Sequence, residues 1–286
     1  MTRPVLAVLA SRVRVEEKRI FAALERRHLP YRHVDTRRFG TQLPVSPEYR
    51  MALSREISQS RARYATRLLE AAGVLTVNRS EVIELCGDKL LTSLALADAG
   101  LPTPRTAVAL TPEAAHAVIE EIGYPVVVKP LTGSWGRLLA VVRDAETAHT
   151  VLEHRAALPN PQQHIVYVQE LVDKPDRDIR VVVTGDRVLG ATYRCSADWR
   201  TNVARGGRSL PCPVTGELER LSLAAARAVG GGVLGVDLIE DAEGALHVLE
   251  VNHNVEFQGF QEAHGDAIDV AEAIVEHLGD GLAVAG

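Results

Sequence analysis

Asp237, Glu250 and Asn252 lie on two apolar runs, "GVLGVDLIE" (232–240) and "ALHVLEVN" (245–252), separated by the turn "DAEG". If the turn closes with Glu240 opposite Ala245, Asp237 falls opposite Val248. Positions 248, 250 and 252 share one face by the period of two, so all three polar side chains project together. Asp237 and Glu250 are then diagonal neighbours, about 7–8 Å apart, a span that divalent ions bridge. Three oxygen ligands on one sheet face suit Mg²⁺, which keeps waters and takes substrate phosphates as its remaining ligands. One residue more or fewer in the turn sends Asp237 to the other face. The alternative is a plain solvent-facing polar surface. Against it, the neighbouring residues are almost unbrokenly apolar, as in a strand buried on both sides, where a carboxylate needs a partner.

Further along the same line of chemistry, "YPVVVKP" is a strand ending at Lys129, followed by the loop "LTGSWGR" with Gly133, Ser134, Trp135, Gly136 and Arg137. A glycine-bearing loop without acidic residues can turn backbone N–H groups toward a polyphosphate, and the lysine adds a compact positive charge. An ordinary hairpin tip has the same composition. Lys89, in "CGDK", falls within a helical pattern, where a lysine is usually solvated. Asp178 and Arg180 share a strand face in "DIRV", and "WRTNVARGG" carries Arg200, Asn202 and Arg205. Arginines converging on one site clamp phosphate or carboxylate bidentately; ion pairs with an acidic body are the bland alternative.

These residues need positioning elements. Residues 5–9 read as a strand, 15–27 as an amphipathic helix and 31–35 as the next strand, a βαβ start without the GxGxxG of a dinucleotide site. "GVLTVN" (73–78) is a further strand, and 80–99 reads as one helix ending at Gly100, with Pro102 and Pro104 marking a boundary. Thr111-Pro112-Glu113 starts a helix that runs to Gly123. Strands follow at "YPVVVKP" and "LLAVV" (a hairpin), then a helix over 144–154, strands "IVYVQEL", "DIRVVVT" and "RVLGATYR", and a helix over 216–229 before the last hairpin.

With 286 residues, 46% hydrophobic and 24% charged, the chain is long enough for two or three subdomains. No apolar run approaches a membrane span and the start does not read as a signal peptide, so a cytoplasmic location without membrane is expected. Cys86, Cys195 and Cys212 are odd in number and widely spaced, which suggests reduced thiols. Residues 1–80 carry 16 Lys+Arg against 7 Asp+Glu and the rest 16 against 30. A basic front on an acidic body suits an acidic partner, while the low aromatic content argues against nucleic acid.

In this order, "GDK", "VVVKP" with its loop, "VQELV", "RDIRVVV", "RTNVARGG", "GVDL" and "LEVNHNVEF" resemble the ATP-grasp ligases, most closely the RimK-like branch with the LysX/ArgX group, over nearly the whole chain. The resemblance implies an α/β and α+β ATP-grasp fold: an N-terminal pre-ATP-grasp βαβ subdomain (1–84), a central lid (85–170) and a C-terminal α+β subdomain (171–286). It implies ATP with Mg²⁺, two ions, held by Asp237, Glu250 and Asn252. Lys89, Lys129, the loop Gly133–Arg137, Glu170, Leu171, Asp178, Arg200 and Asn202 would contact ATP. Arg180, Arg194 and Arg205 would act on the reacting groups. The implied reaction joins glutamate or 2-aminoadipate, through an acyl phosphate, to the C-terminal glutamate of an acidic LysW-type carrier protein, in lysine or arginine biosynthesis or a secondary pathway with the same logic. Gly259-Phe260 is the pair of the glutamate-loading type, with Phe260 expected to fill the space of a longer substrate. A homodimer or homotetramer is implied as well. A RimK-type ligase glutamylating another protein or peptide, or a silent nucleotide-binding regulator, are the rival readings.

Overall fold

The computed structural model describes residues 6–46, 48–133, 138–196 and 208–284, which form three sheets. The first comprises β1 (Leu6–Leu9), β2 (Tyr31–Val34), β3 (Met51–Ser54) and β4 (Leu75–Val77), all parallel in the order β2-β1-β3-β4. α1 (Val15–Arg26) and α2 (Gln59–Ala71) accompany it. β3 and α2 were not anticipated. The strand is four wholly buried residues with no alternation to read, and the helix buries Ala62, Ala65, Thr66 and Leu69, a face too small-sided to stand out.

The expected single helix over 80–99 is two: α3 (Ser80–Gly87) and α4 (Lys89–Asp98). Asp88 between them is extended, and its carboxylate accepts from the Leu90 and Leu91 amides, capping the second helix. The break makes Lys89 the first residue of α4, with its amide on the Leu131 carbonyl at 2.9 Å.

The middle sheet is antiparallel, in the order β5-β8-β6-β7: β5 (Thr106–Ala109), β6 (Val126–Lys129), β7 (Ala140–Val142) and β8 (Val166–Glu170). α5 (Pro112–Ile122), capped by Thr111, and α6 (Ala145–Ala156) cover one face through Ile119 and Leu152.

The last sheet runs β11-β10-β9-β12-β13, from β9 (Arg177–Thr184), β10 (Arg187–Cys195), β11 (Arg208–Cys212), β12 (Val233–Glu240) and β13 (Leu246–Asn252). One face, with Val181, Val183, Val236, Leu238 and Val248, packs on α7 (Gly216–Ala228). α8 (Gln258–His264) follows, and α9 (Val270–Val284) returns to pack on α1. Leu6, Ile20 and Leu24 thereby share a core with Ile274, Val275 and Leu278. A polar joint reinforces this contact. The Asn78 amide accepts from the Val233 N–H at 2.7 Å and donates to the carbonyls of Val233 and His253 at 2.8 and 2.7 Å. Gly232, at φ +115°, lies so close to Asn78 that a Cβ there would overlap its Oδ1. Among the described residues no helix is long and apolar enough to cross a membrane, and the three cysteines are free.

Candidate active site

The last hairpin corrects one expectation while keeping its outcome. Glu240 pairs with Leu246, not Ala245. That one-residue shift alone would put Asp237 opposite Leu249 and turn Glu250 to the far face. A β-bulge at Leu249 shifts the register a second time, so Leu238 faces Val248 while Asp237 faces Glu250 directly. Val248 thus joins the apolar core under α7, and Glu250 emerges on the opposite face with Asn252. Position 248 does not share their face, and Asp237 and Glu250 are direct neighbours, not diagonal ones. The Asn252 amide closes the group, donating to Asp237 Oδ2 at 3.3 Å and Glu250 Oε1 at 3.2 Å.

The same face continues onto β9 and β10, where Arg180 is the cross-strand partner of Asp237 and Asp178 that of Arg194. Arg180 grips Asp237 with two hydrogen bonds of 2.7 and 2.6 Å. Arg194 grips Asp178 at 2.5 and 2.8 Å and reaches Asp237 at 3.1 Å. Burial works to raise the pKa of Asp237, but Arg180 and Arg194 override it and hold the carboxyl below its ordinary value. Burial likewise works to lower Arg194, and Asp237 and Asp178 reverse the sign. Two arginines and two aspartates balance one another. Glu250 adds a third carboxylate to this face, partly exposed, with one hydrogen bond and no ion pair among the described residues. Two neighbouring carboxylates, bridged by the Asn252 amide nitrogen, are the donor type that suits a hard cation such as Mg²⁺, and a rotation of that amide would add its carbonyl oxygen.

Across the cleft stand the two lysines. Lys89 Nζ donates to the Gly133 carbonyl at 3.1 Å, at the start of the glycine loop, and Lys129 Nζ donates to Gln169 Oε1 on β8 at 2.5 Å. Gly133 has φ +137°, a conformation that side chains rarely adopt. Burial pushes Lys129 down to about 8; Glu250 opposes the shift and Lys89 adds to it. Because the unfolded chain holds that proton up to about 10.5, the folded state carries a penalty that is complete below pH 8 and fades between those values. Lys129→Met is therefore expected to raise the thermal midpoint by a few degrees at pH 7, as calorimetry would read.

Two other expected residues have polar groups already bonded within the protein. The Glu170 carboxylate is held by the Arg105 amide and Nε at 2.7 and 2.9 Å, and the Leu171 N–H by the Pro125 carbonyl at 3.2 Å, so both groups are already engaged. Phe260 borders the cleft, but its side chain is 3% exposed and joins the core against Gly190 and His264. The ring does not fill the cleft as expected. Gly259 lines the cleft beside it. Ser134, Trp135, Gly136, Arg137, Arg200, Asn202 and Arg205 lie outside the described residues.

Lys89, Gly133, Arg180, Arg194, Glu250 and Asn252 line a cleft of about 720 Å³. Its other wall comes from the first sheet's side of the molecule and was not foreseen: Arg14, Glu16 and Glu56, with His253 and Asn254 after β13. Arg14 binds Glu17 and Glu256, and the buried Arg55 binds Glu17 and the Val255 carbonyl. Burial, and then the Arg55 charge, push His253 down to about 4, so its imidazole is neutral. The sequence signal for this wall was the polar run "VNHNVEF", whose folding partner lies more than 190 residues earlier, with Asn254 donating to the Glu56 carbonyl.

Comparison with known proteins gives the family. A family model described as the RimK-like ATP-grasp domain matches residues 86–278, and one described as the LysX preATP-grasp domain matches residues 6–85. A glutamate–LysW ligase ArgX of Sulfolobus acidocaldarius is 37% identical over 96% of this chain and 97% of its own. An α-aminoadipate–LysW ligase LysX of Saccharolobus solfataricus is 34% identical over 77% of this chain and 80% of its own. Among solved structures, a RimK domain ATP-grasp protein from Sphaerobacter thermophilus superposes with a TM-score of 0.80 at 28% identity, over 95% of this chain and 98% of that one. The two family models together span residues 6–278, and the sheets and the matched sequence agree with them: the chain belongs to the RimK-like ATP-grasp family and opens with a LysX-type pre-ATP-grasp domain.

Proposed function

We propose that this chain is an ATP-dependent carboxylate–amine ligase that joins the amino group of glutamate to the C-terminal glutamate carboxylate of an acidic LysW-type carrier protein. The observation that carries the reading is the bulged hairpin, which aligns Asp237, Glu250 and Asn252 beside Arg180 and Arg194 at the edge of one cleft. The carrier's carboxylate oxygen attacks the γ-phosphorus of ATP, releasing ADP and leaving an acyl phosphate. The amine nitrogen then attacks the acyl carbon, phosphate departs with the C–O bonding pair, and the amine loses a proton to solvent. The protein's part is positioning and charge neutralisation, and no protein nucleophile is needed. Arg180 and Arg194, with Arg205, meet the transferring phosphoryl group. Lys89, Lys129 and the loop 133–137 meet the phosphates, and Glu170, Leu171, Asp178, Arg200 and Asn202 complete the nucleotide site. Asp237, Glu250 and Asn252 would hold Mg²⁺, one or two ions, which when bound neutralises triphosphate charge.

Glutamate is favoured over 2-aminoadipate by the relatives and by the resemblance of the Gly259-Phe260 pair to the glutamate-loading type, not by a ring that fills the cleft. Two glutamate–LysW ligases are 37% identical over at least 93% of this chain, against 34–35% over 73–86% for three α-aminoadipate–LysW ligases. A tetrahydromethanopterin:α-L-glutamate ligase, 33% identical over 74% of this chain, supports glutamate ligation to another carboxylate as the second reading. The subdomain division 1–84, 85–170 and 171–286 and a homodimer or homotetramer belong to the same proposal. Purified protein with ATP, Mg²⁺, carrier and glutamate is expected to add one glutamyl residue to the carrier, seen by mass spectrometry, with stoichiometric ADP. Faster addition of 2-aminoadipate, transfer only to another acceptor, or no ADP with any acceptor would each contradict it.

A further inference from the structure

The register of the last sheet sets its cleft-facing residues out in rows across the strands. One row holds Arg194 opposite Asp178, and the next runs Thr192, Arg180, Asp237 and Glu250. The third, about 6.5–7 Å further along the strands, differs in kind: Gly190, Val182, Gly235 and Asn252. Two glycines flank a buried valine in the middle of the sheet. Neither has a positive φ, so what glycine supplies here is an empty place above the strand and not a special backbone.

Residues that follow β13 take up those places. A Cβ at Gly235 would lie 2.9 Å from Val255 Cγ2, and one at Gly190 would lie 2.9 Å from Ile268 Cδ1 and 3.0 Å from Phe260 Cζ. Val255 and Phe260 settle there beside Val182, in the core shared with α1 and α9. Along β10 the cleft is therefore closed by packed core one row beyond Arg180. The ring is held from its other side as well: it pairs with His264 at 4.4 Å, and His264 Nε2 bonds the Ala191 carbonyl at 2.9 Å. Thr192, Gly259 and the recessed Phe260 border the cleft at this end.

A carrier's tail has to run on out of the cleft toward its own folded part, so a blind end suits the other substrate, a free amino acid. We propose that Gly190 is a specificity-determining residue, which by letting Phe260 sink against β10 sets the depth of the amino-acid subsite beside Arg180 and Arg194. The inference rests on the ligase reading above. Gly190 touches no substrate and acts through the ring. The amino acid's side chain extends from the reacting arginines past Thr192 and ends against Phe260.

Hydroxylamine keeps the two proposals apart, because it captures an acyl phosphate as a hydroxamate and needs no side-chain pocket. With wild-type protein, ATP, Mg²⁺ and carrier, hydroxamate should form on the carrier; its absence sinks the ligase reading itself. In Gly190→Ala the new methyl group stands about half an ångström or more inside ordinary carbon–carbon contact, and the ring, backed by core, gives way toward the cleft. Glutamate-supported turnover should then fall about tenfold or more relative to hydroxylamine-supported turnover, through KM for glutamate and with KM for ATP unchanged. Phe260→Leu, which deepens the floor, should raise the ratio of 2-aminoadipate to glutamate use about tenfold, and combined with Gly190→Ala it should return the glutamate-to-hydroxylamine ratio toward that of the wild type. If Gly190→Ala proves unfolded by thermal melt, the amino-acid preference of Phe260→Leu alone decides. An unchanged ratio in Gly190→Ala, KM for ATP rising in step with KM for glutamate, or an amino-acid preference unmoved in Phe260→Leu would overturn the role of Gly190 while leaving the ligase intact.

Discussion

Asp237→Asn is expected to lower kcat/KM for ligation by about three orders of magnitude and to cost about 3–5 kcal/mol of stability. Both effects follow from one carboxylate serving two arginines. Asp237 is 2% exposed and carries both hydrogen bonds of Arg180 and the contact from Arg194. An amide at this position keeps the shape but cancels the negative charge, leaving two desolvated guanidinium groups against Asp178 alone. The pH dependence has a definite sign. The folded-state pKa of Asp237 lies below its ordinary 3.8, so its contribution is complete at neutral pH, begins to be lost as pH falls below about 3.8, and is gone below the folded value. Acid titration of stability, followed by circular dichroism, should therefore be shallower in the variant. Loss of activity with no loss of stability would show that the arginines find other partners.

Arg194→Lys should be almost as damaging, with kcat down about 10²–10³-fold and stability down by about 2–4 kcal/mol. The guanidinium spans Asp178 and Asp237 at once, with its Nη2 shared between them. An ammonium keeps the charge but has neither the planar fork nor the reach to satisfy both carboxylates. Its shortfall leaves a buried aspartate underpaired in a sheet interior where water does not compensate. Urea unfolding read beside single-turnover ADP release separates the two losses. A variant that folds normally but stalls before ADP release would place Arg194 in the phosphoryl step.

The carboxylate face was legible in the sequence because hairpin alternation and a buried, charged strand are local signals. Its register was not. A bulge is one extra residue whose cost and benefit are settled by packing on both faces, and here Val248 needed the core while Glu250 needed the cleft. The split of 80–99 at Asp88 was hidden because "CGDKLL" keeps helical periodicity across the break; only the capping geometry shows it. The exchange of roles at Phe260 has a similar origin. A phenylalanine after glycine in a polar segment reads as a wall of the site, yet the short helix α8 turns it into the core against Gly190, which has no side chain to exclude it. The acidic wall was least legible of all. Glu56 and Asn254 are 198 positions apart, and the hydrogen bond between them depends on α9 and Asn78 joining the first sheet to the last.

The central claim is that Asp237, Glu250 and Asn252 together hold the divalent cation that binds the nucleotide. Calorimetric titration of a non-hydrolysable ATP analogue, with and without Mg²⁺, into wild type and Glu250→Gln tests it most directly, because among the described residues Glu250 has no ion pair whose loss would confuse the result. The account predicts binding that depends on Mg²⁺ in the wild type and weakens by about thirtyfold or more in Glu250→Gln, with the Mg²⁺ dependence largely lost. Nucleotide affinity that is indifferent to Mg²⁺, or equal in the two proteins, would contradict it.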